Sequence, residues 1–227
     1  MSHRLGEIQA ERAFTSPRWR ALDIRTQSAL LAAIVSVALA VSMLLRPQRA
    51  KALTLFSIFC LSVAAWYLAD FLFSLTGHSF WLRAAVANGA AIPAAALAFF
   101  LEFLGVARRQ AQRARYAAII GAVAGISVAL TPLVRNESAR FLVAIWVFGV
   151  LSVSLSLLYR RMRATGSRIE RARLAYLFFG AILAIVSSLL DFLPRFGIEF
   201  PAMGAMITTL YLFFLADRLP KSRGRRR

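Results

Sequence analysis

The chain has 227 residues, of which 59% are hydrophobic and 17% charged, whereas a soluble domain carries about 45–50% apolar and about 25% charged residues. The apolar residues gather in blocks of roughly 20, long enough to cross a hydrocarbon core of about 30 Å at about 1.5 Å per residue, and this excludes one or two ordinary soluble domains. The formal net charge of +18 comes from 28 Lys and Arg against 10 Asp and Glu. It concentrates in the connections between blocks, where basic residues orient a membrane protein, so no nucleic-acid partner is expected. A single cysteine, Cys60, excludes an intrachain disulfide, and His3 and His78 alone cannot make a histidine-rich zinc site. No metal or other cofactor is expected.

In chain order, residues 1–25 form a polar tail of mixed charge, broken by Pro17. Seven apolar blocks follow at Thr26–Leu45, Ala52–Leu75, Ala84–Val106, Tyr116–Val134, Phe141–Tyr159, Leu174–Leu193 and Pro201–Leu219. They are too long for strands, and backbone groups in lipid must be satisfied within the segment, so each is read as a helix. The expected fold is all-α: a polytopic seven-transmembrane helix bundle over residues 26–219, with a basic tail at 220–227.

The connections fix the expected orientation. Nineteen basic residues lie in loops 46–51, 107–115 and 160–173 and in the C-terminal segment, against four (Arg83, Arg135, Arg140 and Arg195) in the alternate loops. The positive-inside rule puts the N-terminus outside and the C-terminus in the cytoplasm of a bacterial inner membrane. Five arginines in the N-terminal tail run against this pattern. Reading the first block as a signal peptide cleaved near Ala38-Leu39-Ala40 would reverse the asymmetry, so the block is kept as a span.

Ionisable groups at membrane depth are functional candidates. Four acids qualify: Asp70, Glu102, Asp191 and Asp217, each roughly 10–11 Å from the bilayer centre. Asp70 and Asp191 lie towards the outer surface. Ser62, Trp66, Asp70 and Ser74 share a face of the second helix, Asn88 opens the third, and Gly204, Thr208 and Tyr211 share a face of the seventh. Trp66, Asp70, Asn88, Asp191 and Tyr211 are therefore candidates to line a ligand pocket open to the outside. The plainer alternative pairs the two acids with Arg83 and Arg195 and leaves the tryptophans to packing or to an interfacial belt.

Glu102, Asp217 and Arg218 sit at the basic rim, either as ion pairs that fix helix ends or as a switch contact between helices 3 and 7. Pro93 predicts a kink in helix 3. Gly121 and Gly125, four residues apart on helix 4, allow close helix approach within the bundle or in a homodimer. The basic rims suit the bilayer's anionic lipid head groups.

Several chemistries lack their residues. No span contains a lysine, which excludes a retinal Schiff base; no nucleophile elbow, P-loop or dinucleotide fingerprint is present. Enzyme activity is not expected. A transporter would need matched broken helices, and no clear pair is seen.

The order of residues carries more than the composition. Leu44-Leu45-Arg46-Pro47-Gln48-Arg49-Ala50-Lys51 is followed by Phe56-Ser57-Ile58-Phe59-Cys60-Leu61, Ala65-Trp66-Tyr67-Leu68 and Phe71-Leu72-Phe73-Ser74-Leu75-Thr76. Pro93 and Phe99-Phe100-Leu101-Glu102-Phe103-Leu104 come next, and later Arg171-Ala172-Arg173-Leu174-Ala175-Tyr176, Asp191-Phe192-Leu193 and Leu215-Ala216-Asp217-Arg218-Leu219. Over about residues 26–220 this resembles the N-terminal seven-transmembrane sensor region of bacterial histidine kinases and related signalling proteins. The resemblance implies a membrane input module that acts on a cytoplasmic output domain. The sequence given runs eight residues past the last block, so the expectation is either a sensor module cut from a longer protein or a stand-alone relative with a separate signalling partner. The resemblance names no ligand. A transport or membrane-complex accessory subunit is the competing expectation.

Overall fold

The structure is a computed structural model that describes residues 24–47, 50–190 and 204–218. The described residues form seven α-helices: α1 (Ile24–Leu44), α2 (Lys51–Thr76), α3 (Ser79–Phe103), α4 (Arg108–Leu130), α5 (Glu137–Ala164), α6 (Arg168–Leu190) and α7 (Gly204–Arg218), with a 3-10 turn at Pro132–Arg135 between α4 and α5. The first six are long and apolar enough to cross a membrane; α7 is a shorter apolar helix over its described length. Multiple apolar helices of this length make the chain a multi-pass membrane protein.

The helices outrun the apolar blocks. Helix α4 begins at Arg108, α5 runs on to Ala164 and α6 begins at Arg168, so arginine-rich segments read as loops are helical. Arginine is a good helix former, and an apolar run marks the width of the hydrocarbon slab, not the end of the hydrogen-bond ladder.

The turns are built locally. After α2, Gly77 takes φ 64° and donates its N–H to the Phe73 carbonyl at 2.8 Å. His78 then caps α3, its Nδ1 accepting from the Phe80 N–H at 3.2 Å. At the other end of α3, Gly105 takes φ 63°. The Gly105 N–H donates to Glu102 and the Val106 N–H to Leu101, the paired bonds of a Schellman close. Asn136 caps α5 through a bond from the Ser138 N–H at 2.9 Å. Short turns make successive helices antiparallel neighbours.

Packing is not a simple sequential stack. Helix α1 packs on α2 and on α7, α2 on α3, α3 on α5, α5 on α6, and α6 on α7. These contacts close a ring of six helices. Helix α4 stands outside the ring, packed on α3 and touching α5. The main core lies inside the ring, where Phe56, Phe99, Leu158, Leu212 and Leu215 are fully buried. The Phe56 and Phe99 rings meet at 5.3 Å between centroids. A smaller core of Leu97, Leu101, Ala111, Ala118 and Val150 joins α3, α4 and α5. The large apolar side chains that remain exposed, such as Ile34, Leu61, Ile120, Leu142 and Phe179, stand on the outer helix faces, as a bilayer permits.

The α4 glycines account for the placement of that helix. A methyl group on Gly125 would stand 2.6 Å from the Ala90 Cβ of α3, and one on Gly121 would overlap the indole of Trp146 on α5. The small-residue stripe thus holds helices of one chain together. Pro93, fully buried, sits inside a continuous α3. It has no N–H, so the Gly89 carbonyl lacks its i+4 donor.

Candidate functional site

Inside the ring runs a cavity of about 280 Å³. All six ring helices line it and α4 does not. On α5 the lining extends from Arg140 to Leu158, about 27 Å at about 1.5 Å per residue. So small a volume over such a length is a slot, not a chamber.

The slot has two chemically different ends. Asp70, Leu82 and Arg140 line the end near the α2–α3 turn, while Phe59, Phe100, Leu155 and Leu158 line the deep end. Between them lie Val63, Trp66, Gly89, Ile92, Val147, Ser188, Thr208 and Tyr211. Asp70 is half-buried. Arg140 is a residue the sequence reading counted only as loop charge. It leaves the first turn of α5, pairs with the exposed Glu137 at 3.4 Å and keeps its Nε buried without a partner among the described residues. Its signal was available in principle: three residues after a capped start, its side chain leans back over the turn before it.

The Trp66 and Tyr67 rings meet tilted at 42°, with centroids 4.6 Å apart. The Trp66 Nε1 lies 3.6 Å from where a methyl on Gly89 would stand, an ordinary contact distance, so the indole lies against Gly89 and an alanine would fit there. Gly180 is closer to Tyr211: a methyl there would be 3.0 Å from the Tyr211 Cδ2, so a side chain would crowd the ring. The Tyr211 hydroxyl is buried and has no hydrogen-bond partner among the described residues. One turn away, the Ser188 and Thr208 hydroxyls are 3.4 Å apart across α6 and α7.

The residues singled out in the sequence are thus distributed as follows. Trp66, Asp70 and Tyr211 line one cavity. Asn88 does not line it: its Nδ2 donates to the Ala84 carbonyl of its own helix at 2.8 Å. Ser62 and Ser74 bond back to Ile58 and Asp70 carbonyls, so the cavity face of α2 is Phe59, Val63, Trp66, Tyr67 and Asp70, rotated from the serine stripe. Asp191 and Arg195 lie outside the described residues, as do the tails 1–23 and 219–227. Arg83 is half-buried and is not in the lining.

At the opposite end of the bundle Glu102 is an ion-pair hub. Its Oε2 lies 3.0 Å from Arg115 of α4 and 3.5 Å from Lys51 of α2. The pairing joins the ends of α2 and α3 to the first turns of α4. Asp217 and Arg218 close α7, and their side chains lie outside those described.

No curated protein and no solved structure matches the chain significantly. One family model does, described as the N-terminal 7TM region of histidine kinase, over residues 28–218. That match takes in every described helix but the first turn of α1, together with all the cavity-lining residues. The chain therefore belongs to the family of N-terminal seven-transmembrane regions of histidine kinases.

Proposed function

We propose that the chain is the input module of a bacterial membrane sensor, binding a small or lipophilic signal in the central slot and relaying it to a cytoplasmic signalling partner. Membership of a histidine-kinase membrane region supports a signalling role. The single observation that carries the binding part is the slot itself, lined by six helices with Asp70 and Arg140 at one end.

The loop charges supply the orientation. The helix ends that meet at the α1–α2, α3–α4 and α5–α6 connections carry the basic residues, so that end faces the cytoplasm. The Asp70–Arg140 end then faces outwards. Among the described residues no acidic or basic one lines the slot towards the basic end, which favours a receptor closed on the cytoplasmic side over a transport subunit. Glu102, Lys51 and Arg115 hold α2, α3 and α4 together as a fixed frame. The α6–α7 pair bounds the other side, and a signal that fits one setting of that pair better than another shifts its population.

The test is a hybrid in which a histidine-kinase catalytic module follows Arg227. Autophosphorylation is measured in membranes for the wild type, Asp70→Asn, and the slot-filling Ala184→Leu and Ala144→Leu. Output should change several-fold in the filled variants. Unchanged output from correctly inserted variants would remove the slot from the signalling path. Reporter fusions after Arg115 and Arg227 should both read as cytoplasmic.

A further inference from the structure

Resting on the reading of the slot as the signal site, we infer that its ligand is an uncharged, single-chain lipophile carrying one hydrogen-bond acceptor, of the kind a ketone or ester carbonyl supplies, held by the hydroxyl of Tyr211.

Three observations converge on this class. The lining is elongated, about 27 Å along α5 by the helix rise, with a volume of about 280 Å³, which suits an extended single chain and is too little for a two-chain lipid. The charges are confined to one end. Among the described residues Asp70 and Arg140 are the only acidic or basic ones of the lining, and they are of opposite sign. A charged group carried past them would meet no counter-ion among Phe59, Ile92, Phe100, Leu155 and Leu158, and an unpaired charge in such surroundings is expensive. The third observation is the Tyr211 hydroxyl, buried without a partner among the described residues while its residue is 8% exposed and lines the slot. A buried O–H without a partner costs free energy that a ligand acceptor recovers. Gly180 is what lets the ring lie where it does. The Ser188 and Thr208 hydroxyls face each other, and of the two buried lining donors without a partner among the described residues, Arg140 Nε stands at the charged end and the Tyr211 hydroxyl deeper in the slot.

The experiment is equilibrium binding of tritiated 2-undecanone to the purified protein in phosphatidylcholine nanodiscs, with empty nanodiscs as the blank. Saturable binding is expected. Undecane should compete about fivefold more weakly, the worth of one neutral hydrogen bond, and undecanoate at least about tenfold more weakly because its charge has no partner inside. Tyr211→Phe should abolish the advantage of the ketone over the alkane and leave undecane affinity within about twofold, since the lost hydroxyl had no protein partner to disturb. Undecanoate competing as well as the ketone, an advantage that survives Tyr211→Phe, or no saturable binding because phosphatidylcholine fills the slot would each overturn the assignment. The hybrid kinase separates this from the sensor reading. Altered output in Ala184→Leu without ketone binding refutes only the ligand class. Ketone binding with unaltered output refutes the sensor role and leaves the site standing.

Discussion

Gly125→Ala adds one methyl group where α4 meets α3. The new Cβ would stand 2.6 Å from the Ala90 Cβ, against an optimum of about 3.5–4.0 Å between carbon atoms. The shortfall is about 1 Å, and Ala90 offers no torsion to relieve it, so the helices must separate. Overpacking of this kind costs about 1–3 kcal/mol. Helix propensity acts the other way, since Ala is better than Gly in a helix interior by roughly 0.5–1 kcal/mol. The sign alone is therefore informative: a net loss of about 1–2 kcal/mol is expected, and it can come only from the contact. Reversible unfolding in mixed micelles would measure it, in a cycle with Ala90→Gly. Taking the methyl from Ala90 reopens the gap, so the double variant should recover most of the loss, with a coupling of about 1 kcal/mol or more. A neutral or stabilising Gly125→Ala, or additive effects in the double variant, would refute close approach of α3 and α4 at this point.

Three further outcomes follow from the same packing. Gly121→Leu, which would drive a side chain into the Trp146 indole, should cost about 3 kcal/mol or more, seen as loss of the folded fraction on size exclusion, and Trp146→Ala should restore part of it. The Glu102–Arg115 pair, with side chains about one-third exposed, should show a coupling of about 0.5–1 kcal/mol in a double-mutant cycle, and Lys51, 65% exposed, a smaller one that salt removes. The purified protein should show no sequence-selective binding of DNA or RNA; a steep salt dependence combined with sequence preference would assign the +18 charge a role other than orientation.

The existence and order of the helices were legible because the bilayer imposes a length on every apolar run. The helix ends were less so: Arg108–Arg115 and Arg168–Arg173 looked like loops because charge was mistaken for irregular backbone. In the slot, Trp66, Asp70 and Tyr211 stood out as polar or aromatic groups amid aliphatic ones. Asn88 stood out equally and bonds to its own helix, since an amide four residues after a carbonyl can satisfy itself locally. Helical spacing put Ser62 and Ser74 on the face of Asp70, yet their hydroxyls return to backbone carbonyls. Arg140 was missed because a cation beside a turn reads as a surface charge until a neighbouring helix covers it. Glu102 was placed at the basic rim by its position in the helix, but its partners Lys51 and Arg115 come from two other helices and are far from it in sequence. The choice between intrachain and interchain use of Gly121 and Gly125 needed the third dimension entirely.

The ring closes only where α1 meets α7, the first described helix against the last. That junction is the longest-range contact a chain of this topology can make, and loop-closure entropy places such contacts late in folding. During synthesis α1 to α6 can enter the bilayer and pair locally, but the slot has an open side until α7 docks. Its walls are thus assembled last, in the presence of lipid chains that must leave as α7 seals the gap. Anything that occupies the slot binds the closed ring and not its precursor, so it acts on maturation as well as on output.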